Sequence, residues 1–125
     1  MRQEDEGRAG PRWRAILEAR WRIRLEEVTE LSVAYHSATA DAAGVSDERA
    51  RRLLRRAIAA RQRLADTEEA LGRVADGRFG RCEQCGSPIP LTLLAAAPEC
   101  RYCDRCATRA VTAAPVTAGT APGRR

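Results

Sequence analysis

The sequence predicts a mainly α-helical protein, in which a long antiparallel coiled-coil hairpin precedes a small four-cysteine module. Three observations support this fold class: two long segments with an apolar heptad pattern, one short break between them, and two C-x2-C pairs further along the chain. The 125 residues are enough for about one domain, and only 4% are aromatic, so a large globular core is not expected. No run approaches the ~18 apolar residues of a membrane span.

Glycine, proline and composition divide the chain into four parts. Residues 1–11 are polar and are expected to form a disordered lead-in. Residues 12–76 are predicted to form the coiled-coil hairpin, with its tip at about residues 40–47. Residues 77–111 contain every cysteine, and the Thr-, Ala-, Pro- and Gly-rich residues 112–125 are expected to form a disordered tail.

The heptad pattern predicts two helices, over residues 12–43 and from Ser46, a suitable N-cap, to Asp76. Folding the chain at Gly44 makes the helices antiparallel and places Leu31 opposite Ala57 and Arg24 opposite Leu64. The predicted seam residues are Leu17, Trp21, Arg24, Val28, Leu31, Tyr35 and Ala38 in the first helix, and Ala50, Leu53, Ala57, Ala60, Leu64, Thr67, Leu71 and Val74 in the second.

Charge supports the same antiparallel arrangement. The chain carries a formal charge of +5, and all 22 of its basic residues are arginines. In the predicted register, an arginine-rich block (12–24) lies beside an acidic one (66–76), and the acidic residues 26–30 lie beside the arginine-rich residues 49–63. The second helix keeps an excess of positive charge along a basic stripe, which either pairs within the hairpin or contacts an acidic partner. That stripe comprises Arg49, Arg52, Arg56 and Arg63.

Two cysteine pairs form the pattern C-x2-C-x17-C-x2-C, which is typical of a structural zinc site with four thiolate ligands. The predicted ligands are Cys82, Cys85, Cys103 and Cys106. Cys100 stands three residues before Cys103 and is an alternate ligand. Four thiolates around one Zn²⁺ leave no open position for a substrate, so catalysis at this metal is not expected. The polar N-terminus has no apolar signal-peptide region, which favours a cytoplasmic protein with a metal site over a disulfide scaffold.

The cysteine region resembles the TraR/DksA family of bacterial transcription regulators. The resemblance is carried by residues 70–74 (ALGRV), residues 77–86 (GRFGRCEQCG), Ile89, Leu94, Ala96, Pro98 and the pair Cys103 and Cys106. It implies a C4-type zinc finger with a short β-hairpin and a short C-terminal helix. It also implies a regulator of transcription initiation that binds RNA polymerase through the secondary channel, reads no DNA sequence directly, has no membrane partner and acts as a monomer.

In such regulators the hairpin tip approaches the active centre of the polymerase. The candidate tip residues here are Asp41, Asp47 and Glu48, and they do not match the family's DxxDxA pattern. A basic position that the family uses for guanosine tetraphosphate falls on Asp66. The resemblance therefore implies polymerase binding without the alarmone response.

Two other functions remain open from the residues alone. The arginines could belong to a nucleic-acid-binding zinc ribbon, and Cys100 could belong to a thiol-based redox or metal sensor. No catalytic residues are predicted, and the single histidine, His36, is expected on the surface. The sequence therefore favours a non-enzymatic regulator over an enzyme.

Overall fold

The protein is described from a computed structural model, which covers residues 11–40 and 47–113. These residues form four helices, α1 (Pro11–Ala40), α2 (Asp47–Asp76), α3 (Leu91–Ala96) and α4 (Asp104–Ala113). α1 and α2 pack along each other as the predicted antiparallel hairpin, which confirms the fold class. At 1.5 Å per residue, each of these 30-residue helices is about 45 Å long. The predicted cap at Ser46 and the continuation of α1 to residue 43 lie outside the described residues.

The distal part of the hairpin is held together by a narrow seam. Its buried side chains are Leu31, Ala38, Leu53, Ala57 and Ala60, which are supported by Val28, Ala34 and Tyr35. All five buried residues, and Val28 and Tyr35 beside them, are predicted seam residues, whereas Ala34 is not. Three of the five buried residues are alanines, and small side chains let two helix axes approach closely. The distal hairpin is consequently slender.

An ion pair across the hairpin matches the charge pattern seen in the sequence. Nη2 of Arg63 in α2 lies 2.7 Å from Oε2 of Glu27 in α1. This contact joins the acidic block 26–30 to the arginine-rich residues 49–63. Both side chains are more than a third exposed, so the pair contributes to register more than to stability.

The base of the hairpin and the cysteine module share one core. Leu17 of α1 and Ala70 and Val74 of α2 are buried in the same cluster as Phe79 and Ile89 of the module. The rings of Trp13 and Phe79 lie 5.5 Å apart between centroids. The module is therefore packed onto the hairpin rather than joined to it by a flexible linker.

α2 ends in a glycine cap that turns the chain into the module. Gly77 has a φ of 76°, in the left-handed region where side chains with a Cβ are strained. Its N–H donates to the Val74 carbonyl at 3.2 Å, and the N–H of Arg78 donates to the Arg73 carbonyl at 2.8 Å. These two bonds form a Schellman motif, which satisfies carbonyl groups at the helix end.

Within the module, the predicted β-hairpin is reduced to one antiparallel bridge between Arg81 and Pro88. The prolines at 88 and 90 have no N–H to donate, so the ladder cannot continue. The chain instead enters the short helix α3, which the sequence analysis did not predict. α4 is the predicted C-terminal helix and continues to Ala113, two residues beyond the boundary at 111. Residues 114–125 lie outside the described residues.

No helix within residues 11–40 and 47–113 has the length and apolar character needed to cross a membrane.

Arg24 interrupts the predicted seam of α1, where the predicted register places it opposite Leu64. The side chain is half-buried, and its Nε atom is buried without a hydrogen-bond partner among the described residues. Replacing Arg24 with leucine is expected to raise the free energy of unfolding by about 1 kcal/mol, because an unsatisfied donor is removed from the seam. In a domain of this size, that gain corresponds to a melting temperature about 4–8 °C above that of the wild type. A melting temperature below that of the wild type would contradict the interpretation of Arg24 Nε as an unsatisfied donor.

Candidate metal centre

The first cysteine pair lies in a tight turn between Gly80 and Ser87. Gly80 and Gly86 have φ values of 85° and 79°, which only glycine adopts without strain. The N–H of Gly86 donates to the Cys82 carbonyl at 2.9 Å, and the N–H of Cys82 donates to the Ser87 carbonyl at 2.8 Å. The turn closed by these bonds brings the thiols of Cys82 and Cys85 together.

The second cysteine pair lies at the start of α4. Cys103 immediately precedes the helix, and Cys106 lies in its first turn. The N–H of Ala107 donates to the Cys103 carbonyl at 2.8 Å. A further backbone bond, from the N–H of Glu83 to the carbonyl of Arg101 at 2.8 Å, joins the segments that carry the two pairs.

The four thiols of these pairs form one compact group. The Sγ atoms of Cys82, Cys85, Cys103 and Cys106 all lie within 4.8 Å of one another, and those of Cys85 and Cys103 are 3.8 Å apart. Four sulfurs at about 2.3 Å from a tetrahedral zinc ion lie roughly 3.8 Å from one another. The number, chemistry and spacing of the donors therefore fit one zinc ion.

The surroundings of these thiols affect their protonation. Cys82, Cys103 and Cys106 are buried, whereas Cys85 is exposed. Burial alone would raise the pKa of Cys82, but hydrogen bonds from backbone groups of Cys103, Cys85 and Gln84 lower it to about 6. Burial and the neighbouring thiols raise the pKa of Cys106 to about 12. The four thiols cannot all ionise beside one another without a cation, so metal binding must release protons.

Cys100, the alternate ligand considered from the sequence, is not part of this group of four thiols. It is half-buried and packs against the shared core of the module and the hairpin base. Burial raises the pKa of its thiol. A thiol with a raised pKa is a poor nucleophile, which disfavours the redox-sensor alternative.

A carboxylate beside the metal centre joins the module to both long helices. Glu99 receives two hydrogen bonds from Arg20 of α1, at 2.7 Å from Nε and 2.8 Å from Nη2. The buried hydroxyl of Thr67 in α2 donates to Oε2 of Glu99 at 2.8 Å. Burial alone would raise the pKa of Glu99, but the bonds from Arg20 and Thr67 hold it below its usual value. We call Arg20, Thr67 and Glu99 the Glu99 clasp.

Two further arginines strengthen this junction. The buried side chain of Arg73 in α2 donates to the Glu99 carbonyl at 3.2 Å and lies 3.5 Å from Oε2 of Glu83. Arg101 pairs with Glu69 and lies 3.5 Å from Oδ1 of Asp66, both on α2. Glu83, Glu99 and Arg101 adjoin or lie between the cysteines in sequence. The loops that form the metal centre therefore also dock the hairpin.

No pattern in the sequence predicts the Glu99 clasp. Arg20 and Glu99 are 79 positions apart, and no local pattern pairs them. One signal was available, because Thr67 is a polar residue within an apolar heptad seam. A buried hydroxyl at such a position needs a partner, which the carboxylate of Glu99 provides.

Two of the candidate tip residues, Asp47 and Glu48, lie at the start of α2, at the other end of the hairpin from the cysteines. Asp41 lies outside the described residues, and Asp47 begins α2. Glu48 is exposed and lies 4.0 Å from Arg51 and 3.5 Å from Arg52. The exposed His36 contacts the Ser32 carbonyl through Nδ1, as befits a surface residue.

The basic stripe is partly paired with acidic residues of the hairpin. Arg63 pairs with Glu27, Arg52 pairs with Glu48, and Arg49 also has an interaction partner. Arg56 is exposed and makes no ion pair with the residues that the structure describes. Two of the four stripe arginines therefore pair with acidic residues of the long helices.

Comparison with known proteins agrees with this geometry. Residues 77–111 match the family described as prokaryotic dksA/traR C4-type zinc finger. An uncharacterised protein of Aquifex aeolicus (strain VF5) is 43% identical over 44 residues, which are 35% of this chain and 30% of that protein. The uncharacterised protein YlyA of Bacillus subtilis (strain 168) is 44% identical over 41 residues, 33% of each chain. The chain thus spans about a third of the length of these relatives.

The whole fold resembles a solved structure. The transcription factor DksA2 from Pseudomonas aeruginosa superposes with a TM-score of 0.72 at 23% identity, covering 80% of this chain and 81% of that chain. The likeness extends beyond the zinc-finger segment to the long helices. Together with the four clustered cysteines, it confirms the prediction of a DksA-like fold with a site for one zinc ion.

Proposed function

Because the fold of this chain is DksA-like and its residues 77–111 match the dksA/traR zinc-finger family, we propose that it regulates transcription initiation by binding RNA polymerase through the secondary channel. One observation carries the proposal. The two long helices are each about 45 Å long, and the slender distal part of their hairpin projects from a base where the module and both helices share a core and the Glu99 clasp. Such a molecule is suited to enter a deep, narrow channel.

The two parts of the molecule have different tasks in this proposal. The alanine-rich seam keeps the distal hairpin thin enough to enter the channel, while the wider base remains at the rim. The Glu99 clasp and the Trp13–Phe79 contact fix the module relative to the helices. Because the base is rigid, contacts at the rim would determine how deep the tip reaches.

Zinc has a structural task here, with Cys82, Cys85, Cys103 and Cys106 as its proposed ligands. Bound zinc holds the two cysteine turns together and leaves no open coordination position for a substrate. The cysteine loops also carry Glu83, Glu99 and Arg101, so zinc binding would preserve the docking of the hairpin. The DksA-like fold supports a role as a regulator rather than as an enzyme.

Binding to purified RNA polymerase tests the proposal. The full chain should bind, and a second factor that occupies the secondary channel should displace it. A variant lacking residues 30–60 should no longer bind at the site for which the second factor competes, because the distal hairpin is absent. Binding that survives the deletion, or that the second factor cannot displace, would overturn insertion into the channel.

The proposed role of the tip residues can be separated from binding. Replacing Asp41, Asp47 and Glu48 together with alanine removes the acids nearest the expected active centre. The variant should retain its affinity for polymerase and lose its effect on open-complex lifetime in transcription in vitro. An unchanged effect on open-complex lifetime would show that the tip acts through other groups.

A further inference from the structure

One side of α2 combines exposed arginines with exposed aliphatic residues. Arg51, Leu54, Arg55, Ile58 and Arg61 follow the spacing i, i+3, i+4, i+7 and i+10, which places them on one side of a helix. All five are exposed, Leu54 by 40% and Ile58 by 58%. We call these five residues the basic–aliphatic face. It adjoins the seam and is distinct from the basic stripe.

This face is electrostatically unfavourable for the isolated hairpin. Residues 49–63 contain seven arginines and no acidic residue, and like charges three or four positions apart on a helix repel each other. Arg51 lies 4.0 Å from Glu48, whereas Arg55 and Arg61 form no ion pair with any described residue. A negatively charged partner would relieve this cost.

Leu54 and Ile58 indicate which class of negatively charged partner fits the basic–aliphatic face. Leu54 and Ile58 lie among the arginines, so a partner must cover apolar surface and neutralise charge together. A phosphate backbone has no apolar surface to offer them, and the face has no aromatic side chain on which a base could stack. An apolar contact bordered by arginine–carboxylate pairs is instead typical of protein interfaces, in which arginine is enriched.

We propose that the basic–aliphatic face docks against an acidic protein surface with an apolar centre. The inference rests on the proposed function, and places that surface on RNA polymerase along the path of the hairpin. The face extends about 15 Å along α2, so it forms part of a larger interface that includes the base.

The chain offers a matched pair of positions for the test. Ile58 on the face is 58% exposed, and Ile23 on α1 is 60% exposed and lies outside it. Arg55 has a similar control in the exposed Arg22 of α1. All four positions are on the surface, so substitutions there should leave the fold intact, which circular dichroism melting would verify.

The test measures the Kd of each variant for purified RNA polymerase. Ile58→Asp and Arg55→Glu should each weaken binding about tenfold or more, because each places a carboxylate against an acidic surface. Ile23→Asp and Arg22→Glu should stay within about threefold of the wild type. Increasing salt should weaken the wild type more steeply than Arg55→Glu, since one ion pair is missing from the variant.

Three outcomes would overturn the inference. If the wild type binds and the face variants bind equally well, the inference fails and the proposed function stands. If the wild type does not bind polymerase at all, both fail. If Ile58→Asp and Arg55→Glu keep polymerase affinity but lose a gel shift with duplex DNA or RNA, the face serves nucleic acid instead.

Discussion

Replacing Cys103 with serine is expected to abolish zinc binding and unfold the segment of residues 77–111. Zinc-finger peptides gain roughly 10–16 kcal/mol from the metal, so the small core around Phe79 and Ile89 would not persist without it. Bound zinc per chain should fall from one to near zero. Trp13, which packs against Phe79, should report the change by fluorescence in a Trp21→Phe background.

Cys100→Ser is the matched control, because Cys100 lies on the same chain segment but outside the group of four thiols. It should keep one zinc ion and the Trp13 signal of the wild type. A Cys103→Ser protein that still binds zinc with full affinity would contradict the proposed ligand set. So would a Cys100→Ser protein that loses its metal.

Glu99→Gln is expected to lower the free energy of unfolding by about 2 kcal/mol at pH 7, since charged hydrogen bonds in a partly buried site contribute on this scale. The substitution removes the negative charge that Arg20 and Thr67 satisfy. Chemical denaturation of the zinc-loaded protein would measure the loss. Glu18→Gln, on the exposed surface of α1, should change stability by less than about 0.5 kcal/mol.

The difference in unfolding free energy between the wild type and Glu99→Gln should depend on pH, and the pKa of Glu99 gives the sign of that dependence. The pKa of Glu99 lies below its ordinary 4.5, so the folded state favours the ionised form. Its contribution is therefore fully present above the unfolded-state pKa and is lost as pH falls through the folded-state pKa. The stability difference between wild type and Glu99→Gln should be constant from pH 7 to about pH 5.5 and shrink below pH 4.5. A difference that does not change with pH would show that the carboxylate charge does not hold the module.

The hairpin could be predicted because its determinants repeat along the chain. Leu53, Ala57 and Ala60 recur at heptad spacing along α2, and blocks of opposite charge agree with only one orientation. The C-x2-C pairs likewise encode their chemistry in spacing alone. What was missed depends on single contacts between distant residues, such as Arg20 with Glu99. The predicted short β-hairpin is limited to one antiparallel bridge, because two prolines stop the ladder there.

The Glu99 clasp also shows why the site extends beyond its cysteines. The spacing of the cysteines predicts the metal, but not the residues that orient the metal-binding loops. Arg73 illustrates this limit. From the sequence an arginine is expected on the surface, but Arg73 is only 3% exposed. It is buried because the Glu99 carbonyl and the Glu83 carboxylate both accept hydrogen bonds from it.

Photo-crosslinking from Ser37 tests insertion into the polymerase most directly. Ser37 is exposed near the distal end of α1, and Ala95 is an exposed control position in α3 of the module. With a photoreactive residue at 37, the protein should crosslink to the wall of the secondary channel, and a competing channel factor should abolish the product. A crosslink from position 95 with none from position 37, or a product that resists the competitor, would contradict insertion of the hairpin.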